Sequence, residues 1–191
     1  MTDSADTLSL DTVVLYNELA YHDLLPVQWQ TRERRFTRFE LNGLDEANLL
    51  LLQACVSIEE RDHAEDAGPL TGDLARLDFK LSLVLQILAR LTLKDRMPTS
   101  TSIQFNAQGA SWVCVGPAPA MGAEGVLRIH LRSALPQPLE LPAVVSAVEG
   151  SNVKVKFEEL SESVGELMQR LAFLRHRRDV AGARKARPAP G

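Results

Sequence analysis

The clearest pattern along the chain is a heptad repeat of apolar residues in its middle. Spacings of four and three alternate there without a break over three heptads, as in a helix that packs on other helices. The repeat follows Gly68-Pro69, and a proline is tolerated in the first turn of a helix because its missing N–H costs little there. The seam positions are Leu70, Leu74, Leu77, Leu81, Val84, Leu88 and Leu91.

More apolar residues flank this seam, and they predict a bundle of several helices. Leu85 and Ile87 widen the apolar stripe and Leu83 lies outside it, so the helix is apolar on more than one side. Burying the seam side chains would give a gross driving force of roughly 10 kcal/mol or more per helix. Ordering and association entropy offset much of that gain.

The number of chains in the predicted assembly stays open, with four favoured over two or three. An Asn or Lys at an a position would indicate a dimer, and this sequence has neither residue there. In the alternative interpretation, the helix packs only on its own domain, against a first helix predicted over residues 45–62. That first helix is capped by Asp45 and has Leu49, Leu52 and Val56 on one face.

The apolar period changes to two after Met97-Pro98. Alternating segments then predict a run of short strands with turns between them, which is typical of a small antiparallel barrel. A last helix is predicted over residues 161–180, and the basic tail 183–191 is predicted to be disordered. The predicted strands cover residues 101–107, 110–115, 126–132, 139–148 and 153–157.

The N-terminal part has weaker patterns. Residues 12–30 are apolar but irregular, and we expect an extended arm or a short strand there. The basic run 31–40 is predicted to enter a strand, and Asn42-Gly43 predicts a turn before the first helix.

Composition narrows the class of protein. A net charge of −4 gives no general attraction to nucleic acid or to an anionic membrane. Cys55 and Cys114 stand far apart in different kinds of segment, so we expect reduced thiols in a cytoplasmic protein. No signal peptide and no membrane-spanning stretch is expected.

The sequence offers no catalytic constellation and no metal site, so we expect a protein that is not an enzyme. The four histidines lie in separate segments without metal-ligand spacing. We interpret His130 as a surface histidine, and the adjacent pairs Glu59-Glu60 and Glu158-Glu159 as solvated charges. Nucleophile elbows and glycine-rich phosphate loops are absent from the sequence.

Two clusters of basic residues remain as candidate chemistry. Several arginines in residues 32–38 could clamp phosphates and stack on a purine, or they could pair with Glu33 and Glu40. The second cluster, residues 175–178, suits the C-terminal end of a helix dipole. Binding of nucleic acid there is the weaker alternative, because no aromatic platform accompanies the charges.

At these residues the chain resembles the PilZ domains. Arg34-Arg35-Phe36-Thr37-Arg38 resembles their RxxxR element, and residues 104–109 align with their second motif, (D/N)xSxxG. Residues 74–81 of the heptad repeat and the basic ending 173–181 are similar to the atypical, tetrameric PilZ subfamily. The resemblance extends over residues 25–182, and the order of the parts is more specific than either motif alone.

The resemblance implies an α+β protein with a six-stranded antiparallel barrel, an inserted heptad helix that forms a four-helix assembly, and a C-terminal helix. It also implies a role in signalling by cyclic di-GMP, with no cofactor. In the family, the RxxxR arginines contact the phosphates and guanines of this dinucleotide, and the second motif holds a guanine edge. The implied nucleotide-binding residues are Arg34, Arg35, Arg38, Gln104, Asn106 and Gly109.

This chain departs from the second motif at two positions. Gln104 stands where the family has Asp or Asn, Asn106 stands where it has Ser, and only Gly109 matches. Two hypotheses follow: an oligomeric adaptor with weak or absent nucleotide binding, and a genuine cyclic di-GMP receptor that uses Arg34 and Arg38. A nucleic-acid module based on the C-terminal basic helix is the third.

The predicted organisation is an N-terminal arm over residues 1–24, an atypical PilZ domain over 25–182 with a helical insertion at 45–96, and the tail 183–191. The expected partners are further copies of this chain and a signalling or pilus-related protein. Motility or virulence would fit the family as the process controlled.

Overall fold

The computed structural model describes residues 14–16, 18–64, 97–132 and 135–186, with seven separate helical positions between residues 77 and 88. The predictions for Leu70, Leu74 and Leu91, and for residues 187–191, lie outside the described residues.

Six strands close into an antiparallel barrel, which confirms the predicted fold class. Around the barrel the strand order is β3-β4-β5-β8-β7-β6, and a separate pair, β1 and β2, precedes it. The strands are β1 (Val14–Leu15), β2 (Glu18–Leu19), β3 (Tyr21–Thr31), β4 (Ser100–Phe105), β5 (Gly109–Val113), β6 (Glu124–Ile129), β7 (Leu139–Glu149) and β8 (Asn152–Phe157).

Strand β3 closes the barrel, and the sequence pattern did not show it as a full strand. Its first half pairs with β4 and its second half with β6, with the change of partner at Pro26 and Val27. A proline is tolerated there because the strand leaves one ladder and joins another, and the Pro26 carbonyl accepts a hydrogen bond from the His130 N–H. The change of partner also breaks simple alternation. β3 begins at Tyr21, inside the segment predicted as the arm.

The barrel interior is filled by apolar side chains, which include the alternating residues predicted on β4 and β6. Tyr21 and Phe105 stack with their ring centroids 4.9 Å apart, and Trp29 stacks on Trp112 at 6.2 Å. Apolar residues of the last helix, α2 (Glu162–Ala186), join this core, and α2 ends six residues beyond the predicted end of that helix. The buried residues of α2 are Val164, Met168, Leu171, Ala172 and Leu174.

Helix α1 (Arg38–Ala64) begins seven residues before the predicted Asp45, so the predicted strand at 31–40 and the turn at Asn42-Gly43 are wrong. The reason is a capping box that the sequence contains as Thr37-x-x-Glu40. The Glu40 N–H donates to Thr37 Oγ1 (3.3 Å), and the Thr37 N–H donates to Glu40 Oε2 (2.9 Å). This cap nucleates the helix, which then continues through Gly43.

A buried carboxylate joins the two helices to the barrel. The Glu59 side chain on α1 is fully buried, and so it is not the solvated charge that we predicted. It forms ion pairs with Arg132 after β6, with Arg175 of α2 (2.6 Å) and with Arg178 (3.5 Å). A charge can be buried in this way because several guanidinium groups compensate it.

His130 is also buried, so the prediction of a surface histidine is wrong. It lies just after β6, where its N–H still donates to the Pro26 carbonyl of β3. Burial lowers the pKa of His130, and the nearby Arg128 lowers it further, while Glu140 acts in the opposite direction. This shift favours the neutral form of His130.

Replacing Glu59 with Gln tests the buried ion cluster. The Glu59→Gln variant should lose about 3 kcal/mol of unfolding free energy, because the arginines around it would keep uncompensated charges. Urea unfolding measures this loss. The matched control is Glu60→Gln, which removes an exposed partner of Arg170 and should change stability by no more than about 0.5 kcal/mol. Equal losses in both variants would contradict the special role of Glu59.

Candidate functional site

The arginine motif lies in the loop between β3 and α1. Arg34 and Arg35 of the motif, with Arg32 before it, line a cavity of about 200 Å³ at the rim of the barrel, whereas Arg38 is not among its lining residues. Acidic residues share this cavity with them, so the site is not a uniformly positive pocket. The charged residues that line it are Arg32, Arg34, Arg35, Glu124, Glu158 and Glu159.

Arg34 is held by a carboxylate of its own chain. Its Nη1 donates to Glu40 Oε2 (3.0 Å) and its Nη2 to Glu40 Oε1 (2.6 Å), which is the parallel two-bond geometry of an arginine–carboxylate pair. The hydrogen bond from Arg34, together with those from Thr37, lowers the pKa of Glu40 well below its ordinary value, and Glu40 in turn raises the pKa of Arg34. Both groups are therefore charged at neutral pH.

The other arginines of the motif also lie beside local groups. Arg32 stacks over the Phe36 ring at 3.6 Å and places a guanidinium nitrogen 3.5 Å from Glu40. Arg35 lies 3.6 Å from Glu124, and Arg38 is exposed at the first residue of α1. The predicted pairing of this run with Glu40 is thus present, and it places Glu40 at the centre of the arginine cluster.

The second motif forms the tight turn between β4 and β5. Asn106 is buried, and its Oδ1 accepts hydrogen bonds from the N–H groups of Gln108 (2.8 Å) and Gly109 (3.2 Å). Its Nδ2 donates to the Leu15 carbonyl. Asn106 thus uses both ends of its amide to build the turn and to anchor the segment before β2.

That N-terminal segment covers the turn from outside. Tyr16 packs on Gly109 so closely that a Cβ at position 109 would overlap with its ring. The Tyr16 hydroxyl donates to the Val155 carbonyl (3.1 Å), and Lys154 Nζ lies 4.3 Å from the ring centroid. Tyr16 has a φ of 50°, a backbone conformation that is rare for a bulky residue. Sequence patterns gave no sign of this cover, because it depends on a contact over a long sequence distance.

The two motifs lie at the same end of the barrel but do not touch. Gly109 pairs with Lys156, Lys156 with Val144, and Val144 with Glu124 beside the arginine cavity. Three inter-strand spacings separate them, about 14 Å measured along the sheet. Gln104 lies further down β4, half-buried, opposite His22 and Ser111.

The described residues of the heptad segment, residues 70–93, are all helical, and their apolar side chains are exposed. Leu77, Leu81, Val84 and Leu88 of the predicted seam are 51–62% exposed in a single chain. Leu83 and Ile87 beside the seam are also exposed. So many adjacent large apolar side chains on one helix are typical of a surface that another protein chain covers.

The basic cluster of α2 serves mainly to hold the fold together. Arg175 pairs with Glu59, Arg170 pairs with Glu60, and Arg177 lies over the Phe173 ring at 5.9 Å. These contacts direct the guanidinium groups to groups of the same chain. None of the described helices is long and apolar enough to cross a membrane.

Comparisons with known proteins identify relatives of this fold. The family described as "Atypical PilZ domain, cyclic di-GMP receptor" matches residues 49–185. Among solved structures, the chain is similar to a pathogenic protein from Xanthomonas campestris, described as a tetrameric PilZ domain that self-assembles through an unusual helical bundle. The identity is 24%, the TM-score is 0.66, and the match covers 90% of this chain and 95% of the other. No curated protein gives a match.

The turn role of Asn106 predicts a specific loss of stability. Asn106→Ala should cost roughly 2 kcal/mol of unfolding free energy, because the N–H groups of Gln108 and Gly109 and the Leu15 carbonyl would lose their partner. Gln104→Ala, the neighbouring change in the same motif, should cost no more than about 0.5 kcal/mol. Urea unfolding compares the two variants. Equal stability of Asn106→Ala and the parent protein would contradict this role.

Proposed function

Because the chain belongs to the atypical PilZ domain family, we propose that it is a non-enzymatic bacterial signalling adaptor. It assembles with copies of itself through the heptad segment, and its binding of cyclic di-GMP is weak or absent. It acts in the cytoplasm by contacting another protein. The exposed apolar face of the heptad segment is the observation that carries this proposal.

Self-assembly follows from the cost of leaving that face in water. Full burial of a leucine or valine gives about 1.5–3 kcal/mol, and the described seam side chains, which are 51–62% exposed, would gain roughly half of that each. These positions recur at the spacing of one helix face. Another copy of the same helix offers a matching heptad face. The tetrameric state of the Xanthomonas campestris structure supports four chains here, and the extra apolar positions beside the seam suit a bundle.

Weak nucleotide binding is supported by the state of both motifs. Arg34 is engaged by Glu40, and the acidic residues around the cavity oppose an anionic ligand. The Asn106 side chain already forms hydrogen bonds within its turn, and Tyr16 covers Gly109. A dinucleotide would therefore have to displace contacts of the protein at both ends of the site.

The alternative is a genuine cyclic di-GMP receptor. It is favoured by the family description and by the exposure of the Arg34–Glu40 pair, since exposed ion pairs contribute little to stability and a phosphate can replace the carboxylate. In this case Arg34 and Arg38 would bind the phosphates, with Arg35 assisting. A nucleic-acid module is less well supported, because the α2 arginines pair with acids of the same chain.

The protein partner is a signalling or pilus-related protein, and control of motility or virulence would fit a PilZ adaptor. A multimer presents several copies of each barrel surface to such a partner. Linked copies raise the effective concentration for a second contact, so even a weak contact per barrel gives a stable complex.

A charge in the seam should dissociate the assembly. Leu81→Lys or Leu88→Lys would place an ammonium group in an apolar interface, so the molar mass should fall to that of one chain, 21.1 kDa. Light scattering measures the mass. Leu24→Lys, the same change at an exposed leucine of β3, is the matched control and should leave the mass unchanged. A multimer that survives both seam changes would refute assembly through this face.

Titration calorimetry with cyclic di-GMP separates the adaptor from the receptor. We expect little or no heat with the parent protein, and no further loss with the double variant Arg34→Ala/Arg38→Ala. Strong heat with the parent that disappears in the double variant would favour the receptor instead. Circular dichroism and light scattering confirm that each sample is folded and assembled.

A further inference from the structure

We propose that Glu40 sets the anion affinity of the arginine site by occupying the Arg34 guanidinium in the place of a phosphate. This inference rests on the proposed weak nucleotide binding and names the residue responsible for it. A neutral side chain of the same shape at position 40 would release the site for phosphate.

The geometry of the pair is the first reason. Arg34 gives Glu40 two parallel N–H donors, at 3.0 and 2.6 Å, and a phosphate oxygen pair accepts the same fork. Glu40 Oε1 also lies 3.5 Å from Arg32. One carboxylate thus engages two of the three arginines that line the cavity.

The rigidity of the carboxylate is the second reason. Glu40 Oε2 accepts hydrogen bonds from the Thr37 N–H (2.9 Å) and from Thr37 Oγ1 (3.0 Å), in addition to that from Arg34. A free surface glutamate could rotate away from an incoming phosphate, but this one is fixed by the helix cap. Its charge therefore stays beside Arg34 even when a ligand competes for the guanidinium.

The capping box also allows a variant that removes the charge of residue 40 and preserves the helix start. Gln at the third helical position can accept and donate in a capping box much as Glu does, so Glu40→Gln should keep the start of α1 while it removes the charge. Glu33→Gln is the matched control, because Glu33 is exposed in the same loop and takes no part in the bonds between Arg34 and Glu40.

The experiment is calorimetric titration with two probes, cyclic di-GMP and inorganic pyrophosphate, against four proteins. These are the parent, Glu40→Gln, Glu33→Gln and the double variant Glu40→Gln/Arg34→Ala. Pyrophosphate needs only the arginines, so it reports on this half of the site even if the second motif stays covered. Thermal unfolding of each variant checks that the fold is intact.

The proposal expects Glu40→Gln to bind pyrophosphate about tenfold or more tightly than the parent, as a charge-assisted pair of bonds to Arg34 becomes available. Glu33→Gln should change the affinity by no more than about twofold, since exposed charges are screened. The gain should vanish in the double variant. A gain for both probes supports Glu40 as the main obstacle, and a gain for pyrophosphate alone supports its role at Arg34 and leaves the covered turn as a second obstacle.

Three results would overturn the proposal: no gain with Glu40→Gln, an equal gain with Glu33→Gln, or a gain that survives Arg34→Ala. Tight binding of cyclic di-GMP by the parent protein would instead refute the proposed weak binding. In that case the ratio between Glu40→Gln and the parent still decides the role of Glu40, so the two failures are distinguishable.

Discussion

The apolar face of the heptad segment is the constraint on which the account of this protein depends. Leu77, Leu81, Val84 and Leu88 expose apolar surface to water, which is unfavourable. A second copy of the same face would bury this surface. In the assembly that we propose, every copy would present its arginine site together with those of its neighbours. The function we propose is therefore that of a multivalent scaffold.

Carboxylates of the chain engage its arginines at two places, one buried and one at the surface. Buried Glu59 draws arginines from α2 and from the end of β6 into the fold, and this contact orients both helices on the barrel. Exposed Glu40 holds Arg34 by a similar pair of bonds at the surface. The burial of the first pair makes it structural, whereas the second lies at the surface, where we propose that Glu40 competes with an anionic ligand for Arg34. An arginine motif considered without the acidic residues beside it therefore suggests more phosphate binding than its arginines can provide.

Local patterns predicted the elements that local physics determines. Period-two alternation predicted β4 and β6, apolar β-rich composition and turn signals predicted β5, β7 and β8, and helical spacing predicted α2. The start of α1 was mispredicted although its capping box stands in the sequence, since Asn42-Gly43 suggested a turn. Long-range contacts could not be predicted: the change of partner within β3, the burial of Glu59 and the cover of Gly109 by Tyr16 all join distant segments.

Sedimentation equilibrium of the unmodified protein at micromolar concentrations tests directly whether copies of this chain assemble, because it measures mass without a substitution. Assembly of four chains predicts one species with four times the 21.1 kDa mass of the chain. A constant mass of 21.1 kDa would show that the exposed leucine face is not covered by copies of this chain, and the proposed scaffold would fail with it.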